Sequence, residues 1–151
     1  MLSDMEKSEA VDRWLADVSE ASRRWKSAKA AQEASETVVA YLEEISGRMR
    51  GMPPDLEERM SEAIRRNREN AEVLADAAIG LARLEKGFYE VMREISPPVV
   101  ADVWRMRFLE GKTWDRCSRE LHYSRSQLER LSREAKPRAY DALHGRLQVI
   151  A

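Results

Sequence analysis

Apolar residues recur along most of this chain at alternating intervals of three and four, the spacing of one helix face. Val11, Trp14, Val18, Ala21, Trp25 and Ala28 make the first run. It lapses at Gln32 and Ser35 and resumes at Val38, Leu42, Ile45 and Met49. Nothing between Asp4 and Arg50 interrupts a helix. The pattern predicts one long helix with a weak middle, or two helices hinged near residues 30–36.

The next run keeps the alternation without a slip. It passes through Leu56, Met60, Ala63, Asn67, Asn70, Leu74, Ala77, Leu81, Leu84, Phe88, Val91 and Ile95. A helix of about 40 residues follows, roughly 60 Å long at 1.5 Å per residue. Two breaks bound it, Gly51-Met52-Pro53-Pro54 and Ser96-Pro97-Pro98, each joining a helix stop to a proline suited to a first helical turn. The short loop at Gly51–Pro54 folds this helix back on the preceding one. A two-helix hairpin has too little interior to stand alone, and self-association supplies the missing cover. Asn67 and Asn70 fall on the seam, where polar residues fix register and oligomeric state. A homodimer through the hairpin is therefore expected.

Beyond residue 95 the segments shorten. Ser96 is placed to cap a helix from Pro97 through Val100, Val103, Trp104 and Phe108, which Glu110-Gly111-Lys112 breaks. Thr113 then caps a short helix through Trp114, Cys117 and Leu121, and His122-Tyr123 forms a turn. Ser124-Arg125-Ser126-Gln127 is a capping box, with Tyr123 and Leu128 spaced as a hydrophobic staple. Three short helices with a tight turn between the last two are the scaffold of a helix-turn-helix. The expected fold is all-α: a long antiparallel hairpin over residues 1–95, then a helix-turn-helix module over 96–151.

Composition agrees with long solvated helices, since 35% of the 151 residues are charged and aromatic residues are sparse. The formal net charge of −1 hides an asymmetry: residues 99–151 hold 11 basic against 7 acidic side chains, and residues 1–98 hold 15 against 20. A basic end behind an acidic arm points toward a polyanion partner. Cys117 is the lone cysteine, which suits a reducing cytoplasm and leaves no cysteine cluster for a metal. The N-terminus lacks the apolar core of a signal peptide, and no apolar run approaches the roughly 20 residues that span a bilayer. A soluble, cytoplasmic protein without membrane contact is expected.

Catalysis finds no support in the residues. There is no glycine-rich phosphate loop, no paired-histidine metal motif and no nucleophile with a base, so neither an enzyme nor a cofactor is expected. Glu43-Glu44 and Glu57-Glu58 read as solvated helix faces, and Cys117 as a buried structural thiol.

The last helix is where the chemistry gathers. At 100° per residue, Leu128, Leu131, Ser132, Ala135 and Ala139 share one face, while Ser126, Glu129, Arg130 and Arg133 share the other. Arg125 and Gln127 lie in the first turn, where a recognition helix meets base edges, and both residue types bond bases bidentately. Arg133, Lys136 and Arg138 are better placed for phosphates. Lys112, Thr113, Ser124, Ser126 and Arg130 complete the candidate DNA contacts.

The stretches Val103 through Asp115 and Tyr123 through Leu131 resemble region 4 of bacterial sigma factors, in the version carried by ArpU-like phage transcriptional regulators. Members of that family also set a long helical hairpin before the motif, so the resemblance loosely covers residues 40–145. It implies that Arg107 through Gly111 ends the module's first helix, Thr113-Trp114 starts the second, and Tyr123-Ser124-Arg125 starts the recognition helix. The implied activity is binding duplex DNA in a bacterial host, with contact to RNA polymerase, to regulate late phage or prophage genes. The chain departs from the family in three places. His122 stands for a glycine, Cys117-Ser118 for isoleucine-alanine, and Pro137 is expected to kink or end the last helix near Lys136. Two alternatives share these features. One is a DNA-packaging adaptor like a small terminase subunit, which forms rings; the other is a polymerase- or sigma-binding protein that does not itself touch DNA.

Overall fold

The computed structural model describes residues 1–150, with side chains described through residue 145. It is all-helical, with no strand among the described residues. A long helical hairpin precedes a C-terminal helical module. Helix α1 spans Asp4–Gly47, α2 Pro54–Met92, α3 Pro98–Trp104, α4 Trp114–Leu121 and α5 Arg125–Ile150. A π-helical turn, Arg105–Leu109, extends α3.

Helix α1 passes through Gln32 and Ser35 without a break, so the hinge near residues 30–36 is absent. Its polar middle finds partners along α1 and across to α2. Gln32 Nε2 donates to Glu36 Oε1 one turn on (3.1 Å), and Ser35 Oγ donates to Asn67 Oδ1 (2.8 Å). Ser3 Oγ accepts the Glu6 amide N–H at 3.2 Å, with Asp4 and Glu6 in the first turn favouring the positive end of the helix dipole. Gly51 sits at φ +121° in the connection, a conformation that favours glycine. Pro54 then opens α2.

By packing, the chain divides into two compact units. One is Arg23–Gly80; the other joins Met1–Ser22 to the chain from Leu81 onward. This division differs from a cut at residue 95, because apolar residues at both ends of the hairpin share a core with the C-terminal module.

In the Arg23–Gly80 unit, α1 and α2 run antiparallel. Ser35 meets Asn67, and Asn70 Nδ2 donates to the Ala31 carbonyl at 3.3 Å, so α1 recedes as α2 advances. Its interior is thin: Ala28, Gln32 and Ala63 are its buried residues among those described.

The other unit holds most of the core. Val11, Leu15 and Val18 of α1, Phe88 and Val91 of α2, and Val100, Val103 and Trp104 of α3 are all buried. Leu15, not Trp14, is the fully covered side chain at that level; Trp14 stacks on Phe88 with ring centroids 5.9 Å apart. Ser22 Oγ donates to the Leu109 carbonyl at 2.6 Å, closing a buried backbone acceptor at the end of the π-helical turn.

Two local expectations need correction. Ser96 does not cap α3: Pro97 occupies the N-cap position with no side-chain bond, and Ser96 Oγ instead accepts from Arg138 at 2.8 Å. Pro137 does not end the last helix, since α5 continues through it to Ile150. A mid-helix proline costs roughly 3 kcal/mol. The buried flank of Leu128, Ser132, Ala135 and Ala139 holds the helix together on both sides of it.

Candidate nucleic-acid interface

The module is built from its caps. Thr113 adopts extended backbone and its side chain accepts the Arg116 N–H at 3.2 Å, starting α4. Helix α4 stops at His122, whose φ of 59° and ψ of 35° place it in the left-handed region. Histidine occupies that region more readily than β-branched residues, so the turn forms without glycine. Ser118 Oγ donates to the Tyr123 carbonyl at 2.5 Å and closes the turn from the α4 side.

Helix α5 starts on the capping box. The Gln127 N–H donates to Ser124 Oγ (3.1 Å), and the Ser124 N–H donates to Gln127 Oε1 (3.0 Å). Two otherwise orphaned donors are thereby paired. The inner face of α5 is fixed by Trp104, whose indole N–H donates to Ser132 Oγ at 2.7 Å inside the core. With that face buried, Arg125, Ser126, Gln127, Arg130 and Arg133 are left exposed on the first turns of α5.

The ten candidate contacts separate by what already holds them. Arg130 and Arg133 are exposed with no ion-pair or hydrogen-bond partner among the described residues. Arg125 is exposed but bonds Glu129 at 2.9 Å and lies 3.5 Å from Asp115, and the Glu129 bond raises its pKa. Gln127 has its amide oxygen engaged in the cap, so only its NH2 group is turned to other use. Thr113 and Ser124 spend their hydroxyls as caps.

Three basic candidates already have partners within the protein. Lys112 lies 2.9 Å from Glu120 and 3.2 Å from Glu110, and its hydrogen bond to Glu120, then that to Glu110, raises its pKa. Arg116 bonds the same Glu120 at 3.1 Å, and the two cations hold the Glu120 carboxyl below its ordinary range, Lys112 contributing most. Lys136 pairs with Asp12 of α1 at 2.7 Å, and Arg138 donates to Ser96. Periodicity gave no warning of Asp12 and Ser96, which lie far from Lys136 and Arg138 in sequence.

Arg119, in the last turn of α4, was outside the candidate set. It is exposed with no ion pair among the described residues and adds a cation on the helix that precedes the turn. Its position three residues after Arg116 was the only available signal. Arg107 has the opposite character. It donates to the Lys112 carbonyl at 2.9 Å and its guanidinium lies 5.1 Å from the Trp114 ring centroid, fastening the π-helical turn to α4. Cys117 is fully buried beside it, and burial pushes its thiol pKa up.

Among the described residues no group of three or more histidine, cysteine or acidic side chains is placed to hold a metal, and no helix is long and apolar enough to cross a membrane. No family model matches this chain, and no curated protein or solved structure matches it.

Proposed function

We propose that this chain is a sequence-specific DNA-binding regulator of phage or prophage genes, of the ArpU-like kind, acting in the bacterial cytoplasm. In this reading the start of α5 enters the major groove. Arg130 and Arg125 read base edges, Ser126 stands beside them, and Arg133 and Arg119 engage phosphates. Two copies joined through the hairpin present two such helices to one duplex, and RNA polymerase is the natural protein partner of the complex.

One observation carries the reading: Arg130 and Arg133 stand exposed without partners on a helix whose opposite face is anchored by the Trp104–Ser132 bond. A guanidinium with no internal carboxylate keeps its full charge and all its donors for an external anion. Lys136, held by Asp12, is left out of the contact set on the same reasoning, and Arg125 must exchange Glu129 and Asp115 for a base edge.

The deciding experiment is fluorescence anisotropy with a pool of random duplexes across a salt series, followed by selection of the tightest sequences. We expect affinity to fall steeply with salt and a defined sequence to emerge. A flat salt response, or no enrichment after selection, would leave the polymerase-binding alternative in its place.

A further inference from the structure

The lapse in the α1 seam at Gln32 and Ser35 is matched by a second stripe one step round the helix, and Val38, expected on the inner seam, is exposed on it. Ala31, Ala34, Val38, Tyr41 and Ile45 follow at intervals of three, four, three and four, the alternation of a coiled-coil seam. The stripe faces outward: Ala31, Ala34, Val38 and Tyr41 are exposed, Val38 by 50% and Tyr41 by 62%. At the same level the internal seam is polar, with Gln32, Ser35, Asn67 and Asn70, and Gln32 Oε1 is buried without a partner. Where the inside of the hairpin turns polar, its outside turns apolar.

Ala31, Ala34, Val38 and Leu42 form one wall of an open groove of about 1160 Å³. Its other wall, on α2, carries Asp55, Glu58 and Glu62 with Arg59, Arg65 and Arg66. We propose that this groove is the interface with a second copy of the same chain, the outer stripe of α1 packing against its counterpart about a two-fold axis.

Charge selects the occupant. Three acids and three arginines make the α2 wall neutral. Glu62 already pairs with Arg65 and Arg66, and Asp55, Glu58 and Arg59 present both signs, so a two-fold copy can set each of these against its opposite. A polyanion needs a net basic wall, and an acidic or basic protein needs one sign in excess. The unit's own deficit argues the same way. A hairpin segment whose buried residues among those described are Ala28, Gln32 and Ala63 lacks a core until another helix pair covers it. The size is adequate too. Fourteen residues line the groove. Tyr41 and Ile45 continue the α1 stripe, and Val73 continues the α2 wall past Arg66 and Asn70, approaching the roughly 20 residues a side of a stable interface.

The inference rests on the two-copy part of the function proposed above and not on its DNA-binding part. The test is light scattering of the full chain during gel filtration, with no DNA present. The expected mass is twice the 17.4 kDa of one chain. Ala34→Glu with Val38→Glu should weaken association at least tenfold and give the single-chain mass with unchanged helical content. Ile79→Glu, an exposed apolar position off the stripe, should leave the doubled mass. A complementary measurement tolerates no misfolding. A maleimide should label Val38→Cys at least tenfold more slowly at high protein concentration than at low, and Glu33→Cys equally at both, the native Cys117 being buried. A single-chain mass for the parent protein, a ring of many copies, an associated double-glutamate variant or a concentration-independent Val38→Cys rate each overturns the proposal. A failed duplex-binding experiment alongside a doubled mass would count against the DNA reading alone.

Discussion

The indole N–H of Trp104 donates to Ser132 Oγ at 2.7 Å, and both residues are buried. With Leu128, Ala135 and Ala139 buried on the same face, this bond keeps that face of α5 inward and so Arg130 and Arg133 outward. Removing the hydroxyl leaves a buried donor unpaired, which costs about 1–3 kcal/mol. Ser132→Ala is therefore expected to lower unfolding free energy by that amount in urea titrations followed by tryptophan fluorescence. A stability equal to the parent's would mean the bond contributes nothing net.

Helix α5 begins on Ser124, whose hydroxyl accepts the Gln127 N–H at 3.1 Å. Ser124→Ala should cost roughly 1 kcal/mol of stability through the lost cap, and Ser124→Asp should retain most of it. Thermal melts of the three proteins decide the matter. Coincident curves for the parent and the alanine variant would remove the hydroxyl from any role in starting the helix.

Arg133 and Lys136 look alike in sequence and differ in their surroundings. Arg133→Ala is expected to weaken binding to all duplexes alike and to flatten the salt slope by about one. Lys136→Ala should leave that slope unchanged, because its ammonium is held by Asp12 at 2.7 Å. A partly exposed pair of this kind contributes about 0–1 kcal/mol, so its loss should register weakly, as stability. Arg130→Ala should cost about 1–3 kcal/mol against the preferred sequence and relax selectivity at one base. Equal salt slopes for the two alanine variants at 133 and 136 would contradict the assignment.

The Lys112–Glu120–Arg116 cluster predicts a pH dependence. The lowered Glu120 pKa contributes stability that is present above its unfolded value, about 4.3, and lost as pH falls through the folded one. Lys112 is raised, so its share is present below about 10.4 and lost as pH climbs through its folded value. Between those limits the contribution is constant. Melting temperature should fall on the acid side, less so for Glu120→Gln, and the difference should shrink in high salt because the groups are exposed. Parallel acid limbs for the two proteins would exclude Glu120 as a source.

Elements that depend on short-range chemistry were legible in the sequence. Thr113 and the Ser124–Gln127 box cap as their residue types require, and His122 takes the left-handed turn. The apolar stripe of α2 reaches the core at Ala63, Leu81, Phe88 and Val91. What could not be read depends on partners distant along the chain. Nothing near Lys136 announces Asp12, and nothing near Arg138 announces that Ser96 would give up a cap to meet it. Pro137 misled for a related reason: local chemistry ends a helix there, but tertiary burial of Ser132, Ala135 and Ala139 carries it through.

The unit that bears α5 draws Val11, Leu15 and Val18 from the opening turns of α1. During synthesis these three side chains leave the ribosome well before Phe88 and Val91, and their cover is complete only when Trp104 and Leu128 have followed. This unit therefore closes only after its C-terminal helices have been made, in one late step.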